Sequence, residues 1–284
     1  MDNEYKRLIE DAALPPEALP SDLFFNEGAE REVDRAKAAV AGSYEAAFAR
    51  AGERLAARAV REGINEIEGR RAALRAAGEQ VPPVKIAVLI SGSGTNLQAI
   101  IDRIADGSLN AEIALVVSSR PSAAGLKRAE AAGIQTLTLS KDIYADPYTA
   151  DEVIATELFR AGVEFVVMAG YMRMVHSPLL ASFPNRVINL HPALLPSFQG
   201  AHGIEDAYRR GAKVTGVTVH IANEVYDQGP IIAQEPVRIE EGMGLEELEA
   251  SIHAVEHGLY PQVVQLLADG RVHVEDDLTV TISA

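Results

Sequence analysis

The sequence predicts an α/β protein: an open, mostly parallel twisted sheet with helices on both faces, preceded by a helical N-terminal extension. Three observations carry this. First, the grammar of the 284-residue chain changes at Val81-Pro-Pro-Val84. Before it the chain is rich in Ala, Glu and Arg, as in Ala46-Ala-Phe-Ala-Arg-Ala-Gly-Glu-Arg-Leu, all strong helix formers apart from the odd Phe and Gly. Second, after it, short apolar runs alternate with helical periodicity, the pattern of strands joined by crossover helices. Third, the runs are apolar throughout, not alternating, as buried parallel strands require.

Taken in order, residues 1–84 read as a helical extension and linker of two or three helices, suited to docking or to homo-oligomerisation. Residues 85–284 read as the catalytic domain. Lys85–Ser91 is the first strand, followed by a glycine turn and a helix near Asn96–Asp106. Ala111–Ser118, Gln135–Leu139, Val163–Ala169 and Val187–His191 read as further strands. Helices are expected over Ala123–Ala132 and Tyr148–Ala161. Val214–Ile221 and Ile231–Ile239 are β-rich, and a long helix runs from Leu245 to about Asp269. In such a sheet ligands bind outside the C-terminal ends of the strands.

Composition narrows the function classes. Nearly half the residues (48%) are hydrophobic and 24% are charged, the balance of a globular protein with a sizeable core. The formal net charge of −15 disfavours nucleic acid and anionic membranes as partners. A small phosphorylated ligand stays open, because backbone amides bind anions against the global field. No long apolar run and no signal-like start are present, which leads to the expectation of a cytoplasmic protein. With no cysteine, thiolate chemistry and disulfides are excluded.

Four constellations carry chemistry. Ile90-Ser-Gly-Ser-Gly-Thr-Asn-Leu97 sits at a strand-to-helix junction, where Gly92 and Gly94 permit tight turning and the amides of Gly94, Thr95 and Asn96 can face an anion. It lacks the third glycine and the acidic partner of a dinucleotide site and has no Gly-Lys-Ser/Thr, so a phosphate monoester fits better. Asn189-Leu-His-Pro192 ends a strand, and period-two alternation puts Asn189 and His191 on one face, where they could hold an oxyanion. Asp227, in a loop turning at Gly229-Pro230, would as a partner favour the His191 imidazolium and raise its pKa. His253-Ala-Val-Glu-His257 has the spacing of a zinc-peptidase helix but no evident third ligand; Glu256 reads better as an anchor for a substrate amine or hydroxyls, and no metal is expected.

Together these motifs resemble the phosphoribosylglycinamide formyltransferase family over roughly Lys85 to Val274. The ordered set adds Ala169-Gly-Tyr-Met-Arg173, Thr215-Gly-Val-Thr-Val-His220, Asp227-Gln-Gly-Pro-Ile-Ile232 and Glu256-His-Gly-Leu-Tyr-Pro261 to the turn and the Asn-x-His strand. The resemblance implies a formyltransferase-type sheet, a 10-formyltetrahydrofolate donor and a glycinamide ribonucleotide acceptor in purine synthesis. It implies phosphate binding at Gly94, Thr95 and Asn96, and contact of Glu256 with the glycinamide or ribose. Folate would lie against Met172, Arg173, Met174 and Val175, against Asn189, and against Asn223, Glu224, Val225, Tyr226 and Asp227. Asn189, His191 and Asp227 match the catalytic trio, with His191 held protonated by Asp227.

The chain departs from the family pattern in three places. Pro147 stands where an arginine is common, Gln199 stands for the usual proline after Phe198, and the helical leader is unusual. Formyltetrahydrofolate deformylase, a hydrolase, shares the Asn-x-His and Asp elements but not the Ser-Gly-Ser-Gly-Thr-Asn turn. Methionyl-tRNA formyltransferase suits an acidic chain poorly. Outside these enzymes, a non-catalytic ribose-phosphate-binding protein would use only the glycine turn.

Overall fold

A computed structural model describes residues 63–283. The described chain runs α1 (Ile64–Ala76), β1 (Val84–Ile90), α2 (Thr95–Ala105), β2 (Ala111–Ser118), α3 (Gly125–Ala131) and β3 (Thr136–Thr138). It continues through a 3₁₀ turn (Ile143–Ala145), α4 (Pro147–Arg160), β4 (Phe165–Met168), α5 (Ser177–Ser182), β5 (Val187–His191) and α6 (Gly203–Arg209). β6 (Val214–Ile221), β7 (Ile231–Arg238), α7 (Leu245–Ala268) and a small hairpin of β8 (Val272–Val274) and β9 (Val280–Ile282) complete it.

Seven strands form one sheet in the order β3-β2-β1-β4-β5-β6-β7. Strands β3 to β5 pair in parallel, while β6 and β7 join antiparallel at one edge. The chain winds outward from β1 to β3, then returns to β4 on the other side of β1. That reversal opens a crevice at the C-terminal ends of β1 and β4, the position where open α/β sheets bind ligands.

Two cores sandwich the sheet, and β1 feeds both by alternation. Ile86, Val88 and Ile90 point into a cluster with Leu97 and Ile100 of α2 and Val263, Val264 and Leu267 of α7. Ala87 and Leu89 point the other way, to Ile154 and Leu158 of α4 and Leu179 of α5. Every one of these side chains is buried, which accounts for strands that read as unbroken apolar runs. Tyr260 of α7 is fully buried, its hydroxyl 3.0 Å from the Met168 carbonyl and 3.1 Å from that of Ile188. It ties the long helix to the strand ends beside the crevice.

Helix α1 belongs to the first core rather than standing apart from it. Ile64 and Ile67 are buried in that cluster. Asn65 exchanges two hydrogen bonds with the Val274 backbone, 2.8 and 2.9 Å, and Glu68 accepts from Val272 N at 2.9 Å. Arg71 donates to the carbonyls of Ala268 (2.7 Å) and Pro82 (2.6 Å). The other helices expected within residues 1–62, and their role in oligomerisation, lie outside the described residues.

Most expected elements appear with boundaries shifted by one or two residues. Short helices α5 and α6 and the β8–β9 hairpin are additions. Each is seven residues or fewer, too short for a periodic signal to emerge. Among the described residues no helix is long and apolar enough to cross a membrane.

Candidate active site

Three adjacent strands, β1, β4 and β5, deliver the site at their C-terminal ends. After β1 the chain turns through Ser91–Gly94 into α2. Gly94 adopts a left-handed conformation (φ 70°) and caps the helix start. A side chain there would sit 2.6 Å from the Gly125 backbone, so the turn needs glycine to let α3 approach as well as to adopt its φ. No side chain caps α2 and no acidic residue lies in its first turn, which leaves the leading amides, including Thr95 and Asn96, for an anion. Arg128 of α3 donates to the Ser93 carbonyl at 2.9 Å and puts a cation beside that turn.

The Asn96 side chain faces Glu256 of α7, its Nδ2 3.0 Å from Oε2. Both residues are buried, and Asn96 Oδ1 has no hydrogen-bond partner. Burial pushes the Glu256 carboxyl above its ordinary range, against the opposing influence of Asn96 and His253. The neighbouring His257 is drawn below the usual histidine range by burial and by the positive charges of His253 and Arg128. Among the described residues, no group of three His, Cys, Asp or Glu side chains is arranged to hold a metal ion.

Asn189 and His191 lie at the end of β5, but only Asn189 lines the cleft. Its Nδ2 is 3.2 Å from Nε2 of His220. The two residues are direct cross-strand partners on β5 and β6. His220 Nδ1–H donates to the Ile221 carbonyl (3.0 Å), which leaves Nε2 as the acceptor for Asn189. One hydrogen of the Asn189 amide is thereby committed and the other is free for a ligand. His191 lies behind this pair, its Nε2 2.8 Å from the Phe198 carbonyl and its Nδ1 3.4 Å from Asp227 Oδ2.

Asp227 is buried in the loop after β6 with a positive φ of 55°. It accepts from Gly200 N at 2.9 Å, and its Oδ1 is 3.7 Å from His220 Nε2. Gln199 donates its side-chain amide to the Asp227 carbonyl (3.2 Å), a tie that a proline at this position would not supply. Two residues on, Gly229 is obligatory: a side chain there would lie 1.7 Å from the Ile221 carbonyl oxygen. Burial pushes Asp227 upward, yet His220, the Gly200 amide and His191 outweigh it and hold the carboxyl below its usual range.

Here one expectation is corrected. Asp227 pulls the His191 pKa upward, as expected, but does not set the net direction. Burial lowers the His191 pKa and outweighs the opposite pull of Asp227 and the Phe198 carbonyl. Both ring nitrogens face acceptors, Nε2 the Phe198 carbonyl and Nδ1 the Asp227 carboxylate, so the geometry suits two N–H donors while burial opposes the charge. A proton gained by His191 would therefore meet a waiting carboxylate.

The donor-side cleft is lined by Met168, Arg173, Met174, Val175, Ala222, Asn223 and Tyr226, together with Asn189, His220 and Asp227. Of the residues expected to bind folate, Met172, Glu224 and Val225 are exposed near its mouth and do not line it. Met168, His220 and Ala222 were not anticipated there. His220 stood in the quoted motif Thr215-Gly-Val-Thr-Val-His220, but its place opposite Asn189 is set by the β5–β6 register. Pro147 occupies the first position of α4, where its missing N–H costs nothing, after the capping carboxylate of Asp146.

This fold, with these residues at its strand ends, defines a formyl transferase. A family model described as formyl transferase matches residues 84–264, and the chain belongs to that family. Within it, the chain is 39% identical over 183 residues to phosphoribosylglycinamide formyltransferase of Bacillus subtilis, covering 64% of this chain and 94% of that one. Against the Haemophilus influenzae protein of the same name the figures are 37%, 68% and 92%. The human trifunctional purine biosynthetic protein adenosine-3 is 37% identical over 193 residues, and the match spans 19% of its length. Among solved structures, glycinamide ribonucleotide transformylase 1 from Symbiobacterium toebii superposes with a TM-score of 0.70 at 43% identity, covering 72% of this chain and 96% of that one.

Proposed function

We propose that the protein transfers the formyl group of 10-formyltetrahydrofolate to the amine of 5'-phosphoribosylglycinamide, a step of purine synthesis. The observation that carries this reading is the adjacency of two different binding environments across β1, β4 and β5. On the β1 side an uncapped helix start with Arg128 beside it suits the acceptor's phosphate, and buried Glu256 suits its amide or hydroxyl groups. On the β4–β5 side, Met168, Met174, Val175 and Ala222 form apolar walls with Asn189, Asn223 and Asp227 as polar anchors. A flat, amphipathic ring system fits such a cleft.

The chemistry follows from the residues between the two. The neutral amine attacks the formyl carbon, and negative charge gathers on the formyl oxygen. The free Nδ2 hydrogen of Asn189, held in orientation by His220, stabilises that charge. The attacking amine must lose a proton while the departing folate nitrogen gains one. Asp227, which lines the cleft, is held ionised and has His191 behind it, is the group placed to take that proton up, directly or through water, and return it to the folate nitrogen.

The test uses the full chain with 10-formyltetrahydrofolate, with and without acceptor. Release of tetrahydrofolate that depends on acceptor and matches formylated product supports transfer. Equal release without acceptor, accompanied by formate, would replace this reading with a hydrolase.

A further inference from the structure

The segment Arg173–Val175, with His176 following, forms one wall of the donor cleft and is buried in the second core only at Val175. An open cavity of about 260 Å³ separates it from α4, bordered by Tyr144, Pro147, Asp151, Tyr171, Arg173 and His176. Met172 and Met174 are exposed. Polar ties add to the hold that Val175 supplies. Met172 N donates to Ser91 Oγ (2.8 Å), and the Arg173 guanidinium lies 3.9 Å from the Tyr144 ring centre. At the far end Asp151, in the second turn of α4 and only 3% exposed, accepts the His176 N–H at 2.5 Å. The same oxygen lies 3.4 Å from His176 Nδ1, while Tyr148 rests against that imidazole at 4.9 Å between ring centres.

We propose that Asp151 is a positioning residue for the donor site: it fixes the main chain at His176 and so holds Arg173–Val175 in place as the wall against which the folate donor lies. This rests on the donor-cleft reading above. Asp151 touches no part of the cleft itself and acts through the segment it holds.

The hold depends on charge. Burial pushes the Asp151 carboxyl up to about 6, against the His176 amide and imidazole and the Arg173 guanidinium, which pull it down. The hydroxyls of Tyr144 and Tyr171 also face it, and Asp146 acts on the same imidazole. Protonation removes a charge-assisted acceptor from the His176 N–H, so the wall loosens as pH falls through this range.

The experiment compares the full chain with Asp151→Ala and Asp151→Asn. Asp151→Ala is expected to raise KM for 10-formyltetrahydrofolate about tenfold, with kcat and the acceptor KM within about twofold, the size of one lost charge-assisted hydrogen bond. Asp151→Asn keeps an acceptor oxygen and gives a smaller rise. It also abolishes the increase in donor KM expected of the native protein between about pH 7 and pH 5.5. Hydrogen exchange is read in parallel and should quicken at residues 172–177 in Asp151→Ala and not elsewhere.

A folded variant with unchanged donor KM overturns the proposal, as does a joint fall in kcat and rise in both KM values. If Asp151→Ala does not fold, the pH profile of Asp151→Asn decides alone. If the native protein shows no turnover, the transferase reading fails. The exchange result then still decides: quickening confined to 172–177 supports the role of Asp151 in holding the segment, and unchanged exchange overturns it.

Discussion

The two ends of the molecule use buried polar groups in opposite ways. At the α1 end, Asn65, Glu68 and Arg71 bond to the main chain of Val274, Val272, Ala268 and Pro82. At the strand ends, side chains also pair with one another, Asn96 with Glu256 and Asn189 with His220, with His191 near Asp227, beside main-chain ties of His191, His220 and Asp227. Ties to main chain lock a segment in place, because the backbone acceptor cannot turn away. Side-chain pairs leave second hydrogens and lone pairs uncommitted, such as Asn96 Oδ1, and these are what a substrate can meet. The first end is built for cohesion and the second for exchange of partners.

Substitutions at the two ends should therefore fail differently. The largest effect is expected from Asn189→Ala, with turnover falling roughly 10²–10³-fold as one oxyanion donor is lost, while the melting temperature stays near native. Steady-state kinetics beside a thermal scan check both halves of that statement. A large loss of stability would move Asn189 from chemistry to structure. At the other end Ile67→Ala should cost about 2–4 kcal/mol in chemical denaturation, because Ile67 is buried in the shared core, while the protein that remains folded keeps its KM values. Unchanged stability would mean that α1 is an ornament on the domain.

The smallest effect separates the two buried glutamates by pH. Burial pushes Glu68 up to about 8, with the Val272 amide and Arg71 opposing. A carboxyl whose folded pKa is raised takes up a proton on folding. Its stabilising contribution is complete below the unfolded value near 4.5 and is lost as pH rises through about 8. Native protein should thus become less stable between pH 6 and 8.5, by about 1–2 kcal/mol, and Glu68→Gln should flatten that slope. Urea midpoints at the two pH values provide the measurement; parallel slopes in both proteins would place the titration elsewhere.

The same contrast explains what could be read from sequence. The candidate site stood out in the sequence because the proposed chemistry requires particular residues at fixed spacing: a glycine turn at Gly92–Gly94, Asn-x-His on a strand, and Asp before Gly-Pro. The sheet was legible because strands buried on both faces are apolar throughout. The docking of α1 was hidden, since its polar partners are main-chain groups of β8, of Ala268 and of Pro82, which carry no side-chain signature. The net direction of the His191 shift was hidden for a related reason. Sequence supplies the Asp227 charge but not the depth of burial, and here burial prevails. His220 escaped assignment because its role lies in a cross-strand register, Asn189 opposite His220, that spacing along one strand cannot reveal.

The most direct test of the account is the single-turnover rate of formyl transfer in His191→Ala, with donor and acceptor both saturating and folding verified by thermal scan. The account predicts a fall of roughly 10²–10³-fold in the chemical step, with both ligands still bound. A rate near that of the native protein would contradict it and remove His191 from the reaction.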